Sequence, residues 1–411
     1  MRTILHSDLN NFYASVELLK HPECKDLPVA VTGSVEDRHG IVLAKNQIAK
    51  SFGVKTGEVI WQAKNKCKNL VTLPADFDAY ARISRAVREI YARFTDHIEP
   101  FGIDECWLDV TDSLKLFGSG EQIAESIRQA VKDEIGVTVS IGVSFNKVFA
   151  KLGSDMKKPD AITVISQENF KNKVWVLPVE ELLYVGKATK RKLNTLGIHT
   201  IGDLAKTDKK IISNMLGVWG RTLHNYANGL DDSPVGARND GEIKSIGNSL
   251  TDYKDLYDFE EVKTLLLLLS ESVAGRLRKS NVGRAWTVKV TVTDTDLKTY
   301  GKQITLTRPT SSATDIANAS YTIFNELYKW DKPVRGAGVS VCNFTQGAEQ
   351  LLLGVDYDKE IKKDKIDSTV DGIRKKYGNT SLQRATILQD KRLAGVDIKG
   401  ESFSHEITQK E

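Results

Sequence analysis

Three carboxylates in this sequence lie where predicted strands end. Asp8 follows the apolar run near the start of the chain, and Asp104 and Glu105 are adjacent in the stretch FGIDECWLD. Neighbouring residues of a straight strand face opposite sides, so Asp104 and Glu105 can converge only at a turn or a twisted strand end. Taken singly, each acid is more often a solvated turn or cap residue than a functional group. Packed together without partners, the three would repel one another unless cations neutralised them.

The elements around these acids are predicted to follow the order strand, helix, hairpin, helix, strand, which is the ferredoxin-like order. The predicted strands cover residues 3–9, 98–101, 106–110 and 137–143, and the predicted helices cover 77–97 and 120–134. In such a sheet the first strand lies beside the hairpin, which brings the three acids into one site. Hard oxygen ligands suit Mg²⁺, which also binds substrate phosphates. The cluster therefore predicts a two-metal site for phosphoryl transfer.

The remaining segments indicate further domains. Residues 11–74 are too long for a loop and carry helical signals at 48–52 and 61–66, which predicts a small subdomain over the sheet. After residue 165, short helices are punctuated by Gly186 and Gly197 in two turns that resemble helix-hairpin-helix turns. Residues 231–242 are polar and contain glycine and proline, as expected of a linker.

A second βαββαβ unit is predicted for residues 243–345. In its stretch WTVKVTVT, Trp286 and three valines alternate with threonines and Lys289, which predicts a sheet with one covered face and one polar face free for a partner. Residues 356–411 are charged, with one predicted helix at 358–377 that Gly378 ends. They contain too few apolar residues for a core of their own, and residues 346–411 as a whole are predicted to form a tail.

Composition sets broad limits. The chain has 411 residues, of which 40% are hydrophobic and 27% charged, enough for a sizeable core. A net charge of +4 is only a weak indication of a polyanionic partner. No stretch approaches the roughly 18 apolar residues of a membrane span, and the start lacks a signal-peptide pattern, so we expect a cytoplasmic protein. Four widely spaced cysteines are predicted to be reduced and structural: Cys24, Cys67, Cys106 and Cys342.

Three segments together resemble a known family in both order and spacing. HSDLNNFYASVE, GIDECWLDVT and SIGVSFNKVFAKLGSDMKKPDAI resemble the signature segments of Y-family translesion DNA polymerases of the DinB/UmuC type, over about residues 1–345. The resemblance implies an α+β, right-hand polymerase with a palm (1–10 and 75–165), fingers (11–74), a thumb (166–230) and a little finger (243–345). It implies an error-prone, template-directed enzyme that adds dNTPs to a primer 3′-hydroxyl, bypasses lesions and works as a monomer in the SOS response to DNA damage.

The resemblance also implies roles for individual residues. Asp8, Asp104 and Glu105 would be the catalytic ligands of two Mg²⁺ ions, with the main-chain carbonyl of Leu9 completing one coordination shell. Tyr13 occupies the position of the steric gate that excludes ribonucleotides. The other residues implied to bind the nucleotide are Asn10, Asn11, Phe12, Gln47, Lys50 and Lys158. Family members of the DinB type usually carry Tyr and Arg where this chain has Gln47 and Lys50, which suggests a branch closer to the UV-damage repair proteins of Gram-positive bacteria.

Two further groups are predicted to bind primer–template DNA through its phosphates. In the thumb they are Gly186, Lys187, Thr189 and Lys190, which would offer backbone N–H groups and cations. In the little finger they are Lys289, Lys302 and Arg308. The run Gln350, Leu351, Leu352, Leu353 resembles the peptide with which polymerases bind the sliding clamp, although Gly354 replaces the usual aromatic residue. The VGKAT turn is also compatible with a plain helix connection, and the QLLLG run with an apolar strand end.

Two other functional classes are compatible with such a fold. One is a catalytically idle DNA-binding accessory protein, which the intact acids and Lys158 disfavour. The other is a nucleotidyl cyclase, which also uses paired acids on a ferredoxin-like palm. A cyclase does not need to bind duplex DNA, so the Gly186 turn and the second βαββαβ unit disfavour this class.

Overall fold

Residues 2–33, 40–236, 243–345, 357–390 and 392–396 are described by the computed structural model. They divide into two units: the first holds residues 2–33 and 40–236, and the second holds 243–345, 357–390 and 392–396. The described strands of the first unit are β1 (Ile4–Leu9), β2 (Val29–Thr32), β3 (Val42–Lys45), β4 (Val71–Pro74), β5 (Ile98–Pro100), β6 (Glu105–Asp109), β7 (Val139–Ser144) and β8 (Ile162–Ile165). Its described helices are α1 (Phe12–Lys20), α2 (Gln47–Ser51), α3 (Ile60–Lys66), α4 (Phe77–Tyr91), α5 (Leu114–Phe117), α6 (Gly120–Ile135), α7 (Lys147–Met156), α8 (Phe170–Val174), α9 (Lys187–Asn194), α10 (Ile201–Lys206), α11 (Lys209–Leu216) and α12 (Val218–Ala227).

The main sheet of the first unit has the strand order β5-β6-β1-β7-β8. The predicted α+β class is confirmed, and β1 lies beside the hairpin strand β6 as predicted, with β7 on its other side. The fifth strand, β8, pairs parallel to β7 and was not predicted. Every residue of β1 is buried, because helices α4 and α6 cover one face of the sheet and α7 contacts β1 from the chain that follows β7. The strand that carries Asp8 is therefore held firmly in the core.

The predicted insert between β1 and α4 is a small structure with its own core. Helices α2 and α3 lie where the helical signals were found, but the insert also contains α1 and a sheet of order β3-β2-β4, neither of which was predicted. Four-residue strands carry too little alternation to be recognised from sequence. The first half of the predicted linker is also anchored, since Val235 is buried and the Arg2 guanidinium donates to the Ser233 carbonyl at 2.8 Å.

The second unit repeats the topology. It contains β9 (Ser245–Leu256), β10 (Ala285–Asp294), β11 (Thr299–Thr310) and β12 (Val334–Phe344), with α13 (Phe259–Ser280), α14 (Ala313–Leu327), α15 (Tyr357–Tyr377) and α16 (Ala385–Leu388). The sheet order is β11-β10-β12-β9, and α13 and α14 pack on its apolar face. Val288, Val290 and Val292 are fully buried and Lys289 is exposed, as predicted. Thr287 is an exception, because it is buried and accepts a hydrogen bond from Asn343.

The prediction that the C-terminal residues form a tail is wrong for the described residues 357–390 and 392–396. The predicted helix is present as α15, and Gly378 follows it with a left-handed φ of 96°. Beyond it, Ile387 and Leu393 are buried in the hydrophobic core of the second unit. Ion pairs hold the segment in place, among them Arg278 with Asp371 and Arg374 with Glu271. A segment with few apolar residues cannot form a hydrophobic core alone, but two apolar side chains can complete the core of a neighbouring domain.

We expect Ile387→Ala to destabilise the second unit by about 2–4 kcal/mol, because it opens a cavity in a closed core. The adjacent Leu388 is 54% exposed, so Leu388→Ala is a matched control that should change the stability little. Hydrogen exchange measured on the full chain checks this expectation. Peptides from α13 and β12 should lose protection in the Ile387 variant only, whereas equal exchange in the two variants would mean that the segment does not pack there.

No helix in the described ranges combines the length and the apolarity needed to cross a membrane.

Candidate active site

The three predicted acids meet at one end of the main sheet. In the antiparallel pairing of β1 with β6, Asp8 lies directly opposite Glu105. Asp104 precedes β6, and the Leu9 amide donates to its carbonyl at 3.0 Å, which fixes it beside the end of β1. The chain turns into β6 through Gly102, whose φ of 93° favours glycine. The turn and the strand pairing together bring the adjacent Asp104 and Glu105 to the same site as Asp8.

The charges of the acids act on one another. Burial raises the pKa of Asp8 to about 6, and Glu105 adds to the rise although Lys158 opposes it. Burial together with the charges of Asp8 and Glu105 raises the pKa of Asp104 to about 6. A raised carboxyl pKa means that the site disfavours its own negative charge. The site would therefore be stabilised by cations.

Two lysines supply positive charge to the acids. The Lys158 ammonium lies 2.8 Å from Asp8 Oδ2, and the Lys151 ammonium lies 2.8 Å from Glu105 Oε2. Nε2 of the buried His6 is 3.4 Å from the same Glu105 oxygen, and burial lowers the pKa of His6 to about 3, so this ring is neutral. Lys158 was predicted from sequence. Lys151 and His6 were missed, although Lys151 lies in the same signature segment as Lys158, seven residues before it.

The donor set fits Mg²⁺ in its chemistry. Carboxylate oxygens at a partly buried site, with two raised pKa values, match the hard ligands that this ion prefers. Within the part of the chain that the structure describes, no group of three or more His, Cys, Asp or Glu side chains is arranged as a finished metal cage. Asp8 and Glu105 are instead each paired with a lysine. Metal binding would thus require the lysine ammonium groups to release the carboxylates of Asp8 and Glu105.

Tyr13 lies in an aromatic cluster close to the acids. Asn11 has a left-handed φ of 48°, which turns the chain directly from β1 into α1 and leaves Tyr13 in its first turn. The Tyr13 ring stacks on Tyr80 with centroids 4.3 Å apart and meets Phe77 edge-on at 5.8 Å. Burial and the charge of Asp104 raise the pKa of the Tyr13 hydroxyl. The ring is therefore rigidly held and electrostatically coupled to the acidic site.

Two predicted nucleotide-binding residues are instead used inside the protein. Phe12 is 4% exposed and belongs to the hydrophobic core under the sheet, so its ring offers no surface to a ligand. The Asn10 side chain is buried and accepts hydrogen bonds from Thr138 Oγ1 at 3.0 Å and from the Asp160 amide at 2.8 Å, while it donates to Ser140 at 2.9 Å. The geometry favours a structural role for Asn10, which ties β1 to the segment that carries Lys158.

The predicted fingers residues lie on α2, whose first turn is capped by the side chain of Asn46. Lys50 is exposed and Gln47 partly buried. Burial and the charge of Lys50 lower the pKa of Lys45, which was not predicted as a site residue. The positive charges of these two lysines thus act on one another, and a polyanion would relieve their repulsion.

The predicted DNA-binding residues lie on two different units. Gly186 caps the start of α9 and is exposed, as is Lys187, while Thr189 is partly buried. Lys190 pairs with Glu180. In the second unit, Lys289 is exposed, the Lys302 ammonium lies 2.8 Å from Glu326, and the Arg308 guanidinium lies 3.6 Å from Asp315. Exposed ion pairs are weak, so phosphates could compete for these cations. The predicted clamp-binding run lies outside the described residues.

Comparisons with known proteins identify the family of the chain. Residues 7–155 match the model of the impB/mucB/samB family, and residues 243–353 match the model of the C-terminal domain of that family. The chain is 52% identical over 396 residues to the DNA polymerase IV of Acetivibrio thermocellus, covering 95% of this chain and 99% of that protein. It is 36% identical over 414 residues to DNA polymerase IV 1 of Bacillus subtilis, covering 100% of this chain and 98% of that protein.

A solved structure has the same fold. The Y-family DNA polymerase chimera Dbh-Dpo4(243-245)-Dbh superposes with a TM-score of 0.73, covering 84% of this chain and 100% of that one at 24% identity. The chain therefore belongs to the impB/mucB/samB family, and the predicted Y-family resemblance is confirmed.

Proposed function

We propose that this chain is a translesion DNA polymerase that adds dNTPs to a primer 3′-hydroxyl at the site formed by Asp8, Asp104 and Glu105. Its class is that of a DNA-directed DNA polymerase, a nucleotidyltransferase, as its family and its relatives named DNA polymerase IV indicate. The observation that carries the assignment of the site is the pairing of β1 with β6, which places Asp8 opposite Glu105 with Asp104 beside them. Nothing in a DNA-binding accessory protein would require acids with such raised pKa values.

Two Mg²⁺ ions, when bound, would activate the primer hydroxyl and neutralise the charge on the triphosphate and the leaving pyrophosphate. Asp8, Asp104, Glu105 and the Leu9 carbonyl are the groups proposed to hold them. Lys158 is proposed to bind the triphosphate. Although burial opposes it, the charges of Asp8 and Asp155 raise the pKa of Lys158, so the ammonium stays charged for a phosphate. Lys50 and Gln47 are proposed to contact the same phosphates from the fingers.

The remaining groups position the duplex. Lys187 and the exposed start of α9 are proposed to bind backbone phosphates, together with Thr189, Lys190, Lys289 and Arg308. Such contacts carry no sequence information, which suits an enzyme that must copy any template. The enzyme is proposed to act in the cytoplasm as a monomer.

Primer extension past a panel of defined lesions, with each dNTP offered singly, tests the proposed function. We expect incorporation opposite and beyond lesions, with frequent misincorporation on undamaged template. The absence of any extension would favour the accessory protein. Release of pyrophosphate from a nucleotide without a primer would favour the cyclase.

We expect deletion of residues 350–353 to reduce clamp-stimulated synthesis and to spare synthesis without clamp, because the QLLLG run is proposed to bind the clamp groove. Gln350→Ala should have the same effect in part. Gln346→Ala, four residues earlier, is the matched control and should keep full stimulation. Processivity on a primed circular template with and without loaded clamp provides the measurement, and unchanged stimulation in the deletion variant would refute the proposed contact.

A further inference from the structure

Charged side chains alternate in sign across the site. The Lys158 ammonium lies 2.8 Å from Asp8 Oδ2 and 2.9 Å from Asp155 Oδ1. The Lys151 ammonium lies 2.8 Å from Glu105 Oε2 and 3.5 Å from Asp155 Oδ2. Asp155 is therefore the central anion of the series, and each of its two oxygens faces one lysine. Each lysine in turn joins Asp155 to one predicted metal ligand.

The local sequence explains why three of these charges lie together. Lys151 and Asp155 are four residues apart on α7, and Lys158 follows three residues later, just beyond the end of the helix. Lys151 and Asp155, at this spacing, lie on one helix face and can form an ion pair. In KLGSDMKK these three charges follow one another in the order positive, negative, positive.

Close packing brings this helix face to the acids. A Cβ on Gly142 of β7 would lie 1.9 Å from the Ala150 carbonyl oxygen of α7, and a Cβ on Gly153 would lie 3.1 Å from the Gly142 Cα. Glycine at these two positions allows the helix and strand backbones to approach. His6 of β1 bonds Ser154 of α7 at 2.8 Å, which fixes the helix over the strand that carries Asp8.

We propose that Asp155 is a positioning residue for nucleotide addition, which holds Lys151 and Lys158 when divalent cations take over the carboxylates of Glu105 and Asp8. The inference rests on the proposed function. Without metal ions, each lysine neutralises one acid. When cations replace the lysines, an ammonium in a partly buried site still needs an anion, and Asp155 is already in contact with both. It thereby also keeps Lys158 beside the place where the triphosphate must bind.

The environment of Asp155 suits this role. Its side chain is 40% exposed, so water can reach it and the lysines can reorient around it. Burial alone would raise its pKa, but Lys151 and Lys158 outweigh that effect and hold it below the usual range, so the carboxylate stays ionised. Lys151 also lies over the Phe101 ring at 5.7 Å, a contact that it can retain when it leaves Glu105.

Binding of Mn²⁺ measured by electron paramagnetic resonance tests the proposal without catalysis. The sample is the full chain with a primer–template that ends in a dideoxynucleotide, plus the next correct dNTP. Asp155→Asn should raise the Mn²⁺ dissociation constant about tenfold, the scale of a lost hydrogen bond to a charged group. Asp155→Glu, which keeps the charge, should restore binding to within about threefold of the original protein. Asp133→Asn removes an exposed aspartate from α6 and should change nothing.

A double-mutant cycle with Lys151→Met separates the proposed route from a general effect of charge. If Asp155 acts through the lysines, Asp155→Asn should cost less in the Lys151→Met background than in the original protein. An equal cost in both backgrounds, or an unchanged dissociation constant in Asp155→Asn, would overturn the proposal. So would a loss in Asp155→Glu as large as that in Asp155→Asn. Primer extension by the unaltered chain reports on the proposed function separately, so the two can fail independently.

Discussion

Asp104→Ala is expected to lower the rate of nucleotide addition by at least about 10³-fold, while primer–template affinity changes by no more than a few-fold. Metal-based stabilisation of transition-state charge amounts to several kcal/mol, and each factor of ten in rate corresponds to about 1.4 kcal/mol. Asp104 lies beside the end of β1, and burial together with the charges of Asp8 and Glu105 raises its pKa to about 6. The proposed phosphate contacts of α9 and β10 lie elsewhere in the chain and remain intact.

Single-turnover incorporation and fluorescence anisotropy of labelled DNA provide the two measurements. Asp112→Ala is the matched control, since it removes the same side chain from an exposed turn just after β6. It should leave both quantities unchanged. If Asp104→Ala weakened DNA binding as much as it slowed addition, separate roles for the acids and the phosphate-binding residues would be excluded. If the rate stayed high, Asp104 would not be a metal ligand.

Tyr13→Ala is expected to raise the incorporation of ribonucleotides relative to deoxyribonucleotides by roughly 10²-fold, the scale on which a packed pocket rejects one added hydroxyl. The ring is held by its stack on Tyr80 and by the edge contact with Phe77, so it cannot easily swing aside for a 2′-hydroxyl. The ring also lies close enough to Asp104 for that charge to raise its pKa. We therefore expect the sugar of a nucleotide bound at the acidic site to contact this ring.

The ratio of kcat/KM for a ribonucleotide to that for the matching deoxyribonucleotide is the relevant quantity. Tyr13→Phe keeps the ring and its stack, so it should retain most of the discrimination. Deoxyribonucleotide addition should fall little in either variant. A ratio that stays constant in Tyr13→Ala would show that the ring is only a packing element of the cluster with Tyr80.

The site itself could largely be predicted from sequence. A buried apolar run predicted β1, the periodicity of apolar residues predicted α4 and α6, and the resulting topology placed Asp8 beside Asp104 and Glu105. These features depend on short-range patterns, and the ferredoxin-like order of elements allows few arrangements in space. Resemblance to a family then supplied the proposed role of each acid, which spacing alone could not.

The partners of these residues were decided only by the tertiary structure. The spacing of Lys151, Asp155 and Lys158 was visible in the sequence. The contacts of the two lysines with Glu105 and Asp8, however, depend on the packing of α7 onto β1. Asn10 illustrates the same limit, because its hydrogen bond to the Asp160 amide joins residues 150 positions apart.

The C-terminal segment shows the same division between local pattern and tertiary packing. Its sequence determined α15 and the turn at Gly378, whose φ of 96° suits glycine. Only packing decided that Ile387 and Leu393 complete the core of the second unit. Secondary structure follows from residues close in sequence, whereas burial and ion pairing depend on which distant surfaces meet, and a single sequence does not state those distances.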